Sequence, residues 1–131
     1  MSAVNNALSG LNSASVRLDN SANNIANMQS TSRIVNGKRE ASPYMVQDVV
    51  DISIEPTGGV ETRLQARDST SIPVYEPDSV DADAQGYVQY PDVNLDAELA
   101  NLPMLTYGFK ANLKVLEAAD NNSEKLLDIL A

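Results

Sequence analysis

Apolar or small residues at Val4, Leu8, Leu11, Ser15, Leu18, Ala22 and Ile25 step alternately by four and three, which lines them up as one narrow stripe along a helix. The other positions are polar, with Asn5, Asn6, Asn12, Ser13, Arg17, Asp19, Asn20, Ser21, Asn23 and Asn24 covering the rest of the surface. Many of these are short side chains of middling helix propensity, so the helix is held by burying its stripe rather than by its own preference. It fades between Asn27 and Thr31, where the periodicity stops.

A second stripe lies at the other end of the chain. From about Leu99 to Leu130, a heptad frame passes through Leu102, Leu105, Phe109, Asn112, Leu116, Ala119, Ser123, Leu126 and Leu130. Asp120-Asn121-Asn122-Ser123 weakens it locally, and Pro103 predicts either a kink or a helix that starts at Asn101 with the proline in its first turn. The two stripes close on each other as a helical hairpin or on neighbouring subunits. Leu113, Val115, Leu127 and Ile129 lie off the narrow seam and favour contacts from several sides.

Between the helices the period changes to two. Val50, Ile52 and Ile54 alternate with Asp51, Ser53 and Glu55, and Val60, Thr62, Leu64 and Ala66 with charged or amide residues, which predicts a hairpin broken at Pro56-Thr57-Gly58-Gly59. Arg63 and Arg67 on the second strand are expected to pair with Asp51 and Glu55 on the first. Ile72-Pro73-Val74-Tyr75 reads as an edge strand and Gly86–Tyr90 as another, with Tyr44, Val74, Tyr75, Tyr87 and Val88 as candidates for the core or its edge contacts. Asn36-Gly37 is a turn pair followed by the basic Lys38-Arg39. The class is α+β: long N- and C-terminal helices packing as a coiled-coil-like hairpin, with a small, mostly antiparallel β unit inserted between them. The segments are an N-terminal helix over 1–30, a β region over 31–93 with an exposed loop at about 31–42, and a C-terminal helix over 94–131.

Charge narrows the function. The 131-residue chain carries a net charge of −9 with only nine Lys and Arg, so it lacks the basic face that nucleic-acid binding needs. With no Cys and no His, thiol chemistry, Cys or His zinc sites and a Ser-His-Asp triad are excluded. No phosphate-binding loop is present, since Gly58-Gly59 has no following helix and Lys. The chain does not read as an enzyme, and no cofactor is expected. No apolar run is long enough to span a membrane, and the first residues lack the pattern of a secretory signal.

From Asp68 to Phe109 there is no Lys or Arg, and within this acidic stretch Asp81, Asp83, Gln85, Gly86, Val88 and Asp92 follow the order of an EF-hand calcium loop. Gln at position five, Asp at position twelve and the absence of an entering helix favour an acidic hairpin turn without metal. Two alternatives to a structural role follow: a free-standing acidic module on a helical stalk that binds a basic partner, or a calcium-binding protein using 81–92.

Three regions carry a family resemblance. Ser21-Ala22-Asn23-Asn24-Ile25-Ala26-Asn27 resembles the N-terminal signature of bacterial flagellar axial proteins, the rod, hook and hook-associated subunits. Gly58-Gly59-Val60, Val74–Pro77, Asp81–Val88 and Pro91–Leu95 are similar in order and spacing to a proximal rod subunit, and Tyr107–Leu116 is similar to the C-terminal helix of that family. The resemblance implies export through the flagellar export apparatus without a cleaved signal. It also implies a place in the basal body, in the periplasm, and a helical assembly with copies of itself and other rod proteins. The assembly interface is expected at Leu8, Leu11, Leu18, Asn23, Asn24, Ile25, Asn27, Leu105, Phe109, Asn112, Leu116, Leu126 and Leu130, with the isolated chain ordered only over about 40–95.

Overall fold

A computed structural model describes residues 2–32, 34–35, 38–39, 44–56, 58–68 and 71–130. Helix α1 spans Ser2–Asn27, and strands β1 (Ile34–Val35), β2 (Lys38–Arg39), β3 (Gln47–Ser53), β4 (Val60–Ala66), β5 (Ser71–Tyr75) and β6 (Tyr87–Pro91) lead to α2, Leu95–Leu130. The strands pair in sequence as three two-stranded sheets, β1-β2, β3-β4 and β5-β6. This is the α+β arrangement that the change of period predicts. Among the described residues no helix is long and apolar enough to cross a membrane.

Two compact units share the chain, and both long helices pass from one to the other. The first comprises Met1–Asp19, Val49–Arg63 and Ala100–Ala131; the second comprises Asn20–Asp48 and Leu64–Leu99.

In the first unit, Leu102, Leu105, Phe109, Asn112, Leu116 and Ala119 are half-buried while their neighbours on α2 are mostly exposed, which recovers the heptad frame. Beyond Ala119 the frame runs out into solvent: Ser123 and Leu126 are exposed, and the Leu130 side chain lies outside the described residues. On α1 the inward face is rotated from the expected one. Ala7 and Ala14 are buried and Leu11 and Leu18 half-buried, whereas Val4, Leu8 and Ser15 are exposed. Close packing explains the rotation, because small residues let backbones approach. A Cβ at Gly10 would stand 2.7 Å from the Asn112 amide nitrogen, so this side of α1 has no room for a row of leucines.

On β4 the alternation holds at its start, with Val60 and Thr62 half-buried and Glu61 and Arg63 exposed, but β3 presents the other face. Val50, Ile52 and Ile54 are exposed, and the opposite face, with Asp51, meets α1. Polar donors on α1 dictate this choice, since Asp51 accepts hydrogen bonds from Ser13 at 3.0 Å and Arg17 at 2.7 Å. The connection is glycine-dependent: Gly58 and Gly59 have φ of +75° and +96°, and a Cβ at Gly59 would stand 2.8 Å from the Ser9 hydroxyl.

The second unit is built on Val46 and Val88, both fully buried. Strands β5 and β6 pair antiparallel from Ser71↔Pro91 to Tyr75↔Tyr87, and the last two rings meet edge to face at 5.4 Å. Of the other aromatic and apolar candidates, Tyr44 is half-buried while Val74, Tyr75 and Tyr87 are exposed. The loop expected at 31–42 contains the short ladder Ile34↔Arg39 and Val35↔Lys38, a third hairpin; the Asn36-Gly37 turn itself lies outside the described residues. Helix α1 stops at Asn27 in two turn bonds, Met28 N–H to Ile25 C=O and Ser30 N–H to Asn27 C=O.

Helix α2 starts earlier than Leu99 or Asn101. Asn94 caps it by accepting the Ala97 N–H at 3.0 Å, and Asp96 and Glu98 in the first turn complement the helix dipole. Once nucleated there, the helix continues through Pro103 as one element.

Candidate assembly surfaces and the polar stripe of the first helix

Ser9, Ser13, Arg17, Asn20 and Asn24 recur at helical spacing on α1 and hydrogen-bond to the β segments. Within the first unit, the Ser9 hydroxyl accepts the Val60 N–H at 3.3 Å, and Asp51 gathers Ser13, Arg17 and the Thr62 hydroxyl, the last at 2.7 Å. Burial on its own would raise the Asp51 pKa. The hydrogen bonds from Arg17, Thr62 and Ser13, with the Arg17 charge, outweigh that and hold the carboxyl below its ordinary value.

Within the second unit the same stripe meets one backbone carbonyl and a carboxylate. Asn20 and Asn24 both donate to the Gln47 carbonyl, at 2.8 and 3.3 Å. Ser21 donates to one oxygen of Glu98 at 2.6 Å and Asn24 to the other at 2.8 Å, while the Tyr44 hydroxyl donates to the Asn24 side-chain oxygen at 3.0 Å. Burial, reinforced by the Glu98 charge, raises the Tyr44 pKa. Arg67 closes the network's edge: it grips Asp48 with two nitrogens, at 2.6 and 3.1 Å, and reaches the Asp92 carbonyl at 3.1 Å. The Arg67 hydrogen bond lowers the Asp48 pKa against the opposing effect of burial.

The charge partners differ from those expected from alternation, although Arg67 still pairs across the hairpin. Arg67 pairs with Asp48, Arg63 pairs with Glu61 on its own strand at 2.8 Å, and Asp51 pairs with Arg17 of α1. Asp51 and Glu98 were not legible as partners of α1, although the recurrence of short donors at helical spacing was visible in the sequence. Nothing local marks Glu98 as their acceptor.

The residues expected at the assembly interface divide by exposure. Leu11, Leu18, Leu105, Phe109, Asn112 and Leu116 are half-buried in the first unit, and Asn24 is buried and Ile25 half-buried in the second. Leu8, Asn23 and Leu126 are exposed; Asn27 is half-buried and donates to the Asn23 carbonyl. The off-seam residues face solvent, with Leu127 68 % and Ile129 80 % exposed.

The four calcium candidates do not converge. Asp81 accepts the Thr31 hydroxyl at 2.6 Å, Asp83 accepts the N–H groups of Gln85 and Tyr87, and the Gln85 side chain is exposed. Asp92 follows β6, with its carbonyl turned to Arg67. Among the described residues no group of three or more acidic side chains is arranged to hold a metal ion.

The family model described as flagellar basal body rod FlgEFG protein C-terminal matches residues 84–129. The flagellar basal-body rod protein FlgC of Escherichia coli O6:H1 is 34 % identical over 92 % of this chain and 90 % of its own length. Its namesake in Bacillus subtilis is 30 % identical over 96 % of this chain and 95 % of its own. The chain belongs to the FlgC family of flagellar basal-body rod proteins. Its role is that of a structural protein of the rod, and its place is the flagellar basal body. A more distant namesake, from Borreliella burgdorferi, is 28 % identical over 98 % of this chain, so the likeness includes both terminal helices.

Proposed function

We propose that the chain polymerises through its terminal helices into the axial drive shaft of the proximal rod, beside copies of itself and other rod proteins. It reaches the periplasm through the flagellar export apparatus. The observation that supports this reading is the apolar surface left open on the helices: Val4 and Leu8 on α1, and Leu126, Leu127 and Ile129 on α2. Burying one such side chain contributes about 1.5–3 kcal/mol, and an assembly that covers several copies of each contact collects this many times over.

The test separates the helix end from the β region. Leu127→Asp places a charge on a side chain that is already exposed in the single chain, so the monomer keeps its fold and export while incorporation into the rod and swimming are lost. Gln85→Ala, on an exposed turn, leaves swimming unchanged. Motility complementation in a strain lacking the gene, with secretion of each variant measured in parallel, gives the answer. Normal swimming with Leu127→Asp would remove the helix end from the interface.

A further inference from the structure

We propose that the outer face of the β3-β4 hairpin receives the end of α2 from a second copy of the chain. The contact deepens the polymerisation reading and rests on it. Two apolar surfaces of the first unit are exposed in the single chain. One is the row Val50, Ile52 and Ile54, which alternation puts on the side of β3 away from Asp51 and α1. The other is the last stretch of α2, where every residue from Asp120 to Ile129 is exposed, Leu126, Leu127 and Ile129 among them. A helix end of this kind needs a partner for its apolar side.

Size and charge match the two surfaces. The strand row spans about 13 Å at the usual rise per residue, and a helix with its side chains is about 10–12 Å across, so one helix laid over β3 covers the row. Ile54 donates its N–H to the Gly59 carbonyl and Arg67 donates to that of Val46, a register that sets Val50 opposite Arg63 and Ile52 opposite Glu61. The row is therefore flanked by one charge of each sign, joined to each other by an exposed pair at 2.8 Å. Such a pair is worth little in water and is free to exchange partners. On α2, Glu124 stands three residues before Leu127 and Lys125 four before Ile129, so the helix face also carries one charge of each sign at its edges. Glu124 meets Arg63, and Lys125 meets Glu61, when the two faces are brought together.

The two surfaces differ from each other, and this makes a second copy the fitting occupant. A copy bound by its helix end still offers its own hairpin, so the contact is head-to-tail and can continue along a helical assembly.

Disulfide trapping in the assembled structure tests it. The chain has no Cys, so each introduced thiol is the only one in its copy. Two copies with different epitope tags, one Ile52→Cys and the other Leu127→Cys, are expressed together in a strain lacking the gene, and purified basal bodies are treated with a mild oxidant. A dimer carrying both tags is expected, severalfold more abundant than with Ile52→Cys against Gln85→Cys. If either thiol keeps its copy out of the basal body, the charges decide: Arg63→Glu and Glu124→Arg each lower incorporation severalfold, and the two together in one chain restore it. A tagged natural chain absent from the basal body would remove the polymerisation reading itself. A natural chain that is present, with neither the mixed dimer nor the charge rescue, would overturn this contact alone. So would a mixed dimer that forms better with Leu8→Cys in place of Leu127→Cys, which gives the hairpin to the neighbour's α1, or a disulfide confined to single chains that carry both thiols.

Discussion

Gly10 and Asn112 meet across the helix pair with no space between them: a Cβ on Gly10 would lie 2.7 Å from the Asn112 amide nitrogen and 3.0 Å from its Cγ. Gly in a helix interior costs about 1 kcal/mol relative to Ala, so the close approach is maintained against local preference. Gly10→Ala gains that propensity and loses a similar amount by displacing Asn112, leaving the melting temperature nearly unchanged. In an Asn112→Ala background the obstacle is gone, and Gly10→Ala then stabilises by about 1 kcal/mol. A double-mutant cycle in urea measures the difference, and equal effects in both backgrounds would show that the two residues do not couple.

Pro103 lies inside α2 with its side chain exposed, so it contributes no packing and withholds one backbone donor from the carbonyl of Leu99. Pro103→Ala should restore the bond and raise stability by about 1–3 kcal/mol, read as a higher urea midpoint at constant slope. An unchanged midpoint would mean that the helix has already absorbed the proline by bending.

The contrast between α2 and α1 shows what the sequence disclosed. The seam on α2 is made of large apolar side chains, and the half-buried positions from Leu102 to Ala119 follow it closely. On α1 Ala7 and Ala14 are buried and Gly10 makes the close approach to Asn112, residues whose value lies in being small, and a search for a hydrophobic stripe passes over them. The hairpin misled for a related reason. Alternation located β3 and β4, but period two does not say which face is inward, and hydrogen-bond donors on α1 selected the face with Asp51 over the one with Val50 and Ile52. Glu98 was invisible because its partners lie 74 and 77 residues away.

Asp83 organises the turn before β6. Its carboxylate accepts the Gln85 N–H at 3.0 Å and the Tyr87 N–H at 2.9 Å, while Gly86, at φ +86°, sends its own N–H to the Asp83 carbonyl. Asp83→Asn keeps the accepting oxygen and should be nearly neutral, whereas Asp83→Ala loses both bonds and should cost about 1 kcal/mol in thermal denaturation. Because this carboxylate already serves backbone donors and Asp81 serves Thr31, calcium at millimolar concentration should show no stoichiometric binding by calorimetry. A one-to-one isotherm abolished by Asp81→Ala together with Asp83→Ala would reverse that conclusion.

Asp51 and Asp48 both titrate below their ordinary value in the folded chain, and this fixes the sign of the acid response. Burial is the largest influence on Asp51 and acts upward, but Arg17, Thr62 and Ser13 together carry it below the usual carboxylate value; for Asp48 the Arg67 hydrogen bond leads. A carboxyl whose pKa is lowered by folding binds its proton more readily in the unfolded chain, where the value is about 3.9. Its contribution is therefore complete above that value and is lost as pH falls through the lower folded value. Between pH 7 and about 5 these two groups should leave the melting temperature flat, and below about pH 4 they should pull it down. Asp51→Asn should lower the melting temperature at pH 7, and its deficit should shrink as pH drops below about 4, because the natural residue then loses the same charge. Both ion pairs are partly open to solvent, so salt should also narrow the deficit. A deficit that stayed constant across this whole range would mean that Asp51 holds the hairpin on α1 by shape and neutral hydrogen bonding, with its charge irrelevant.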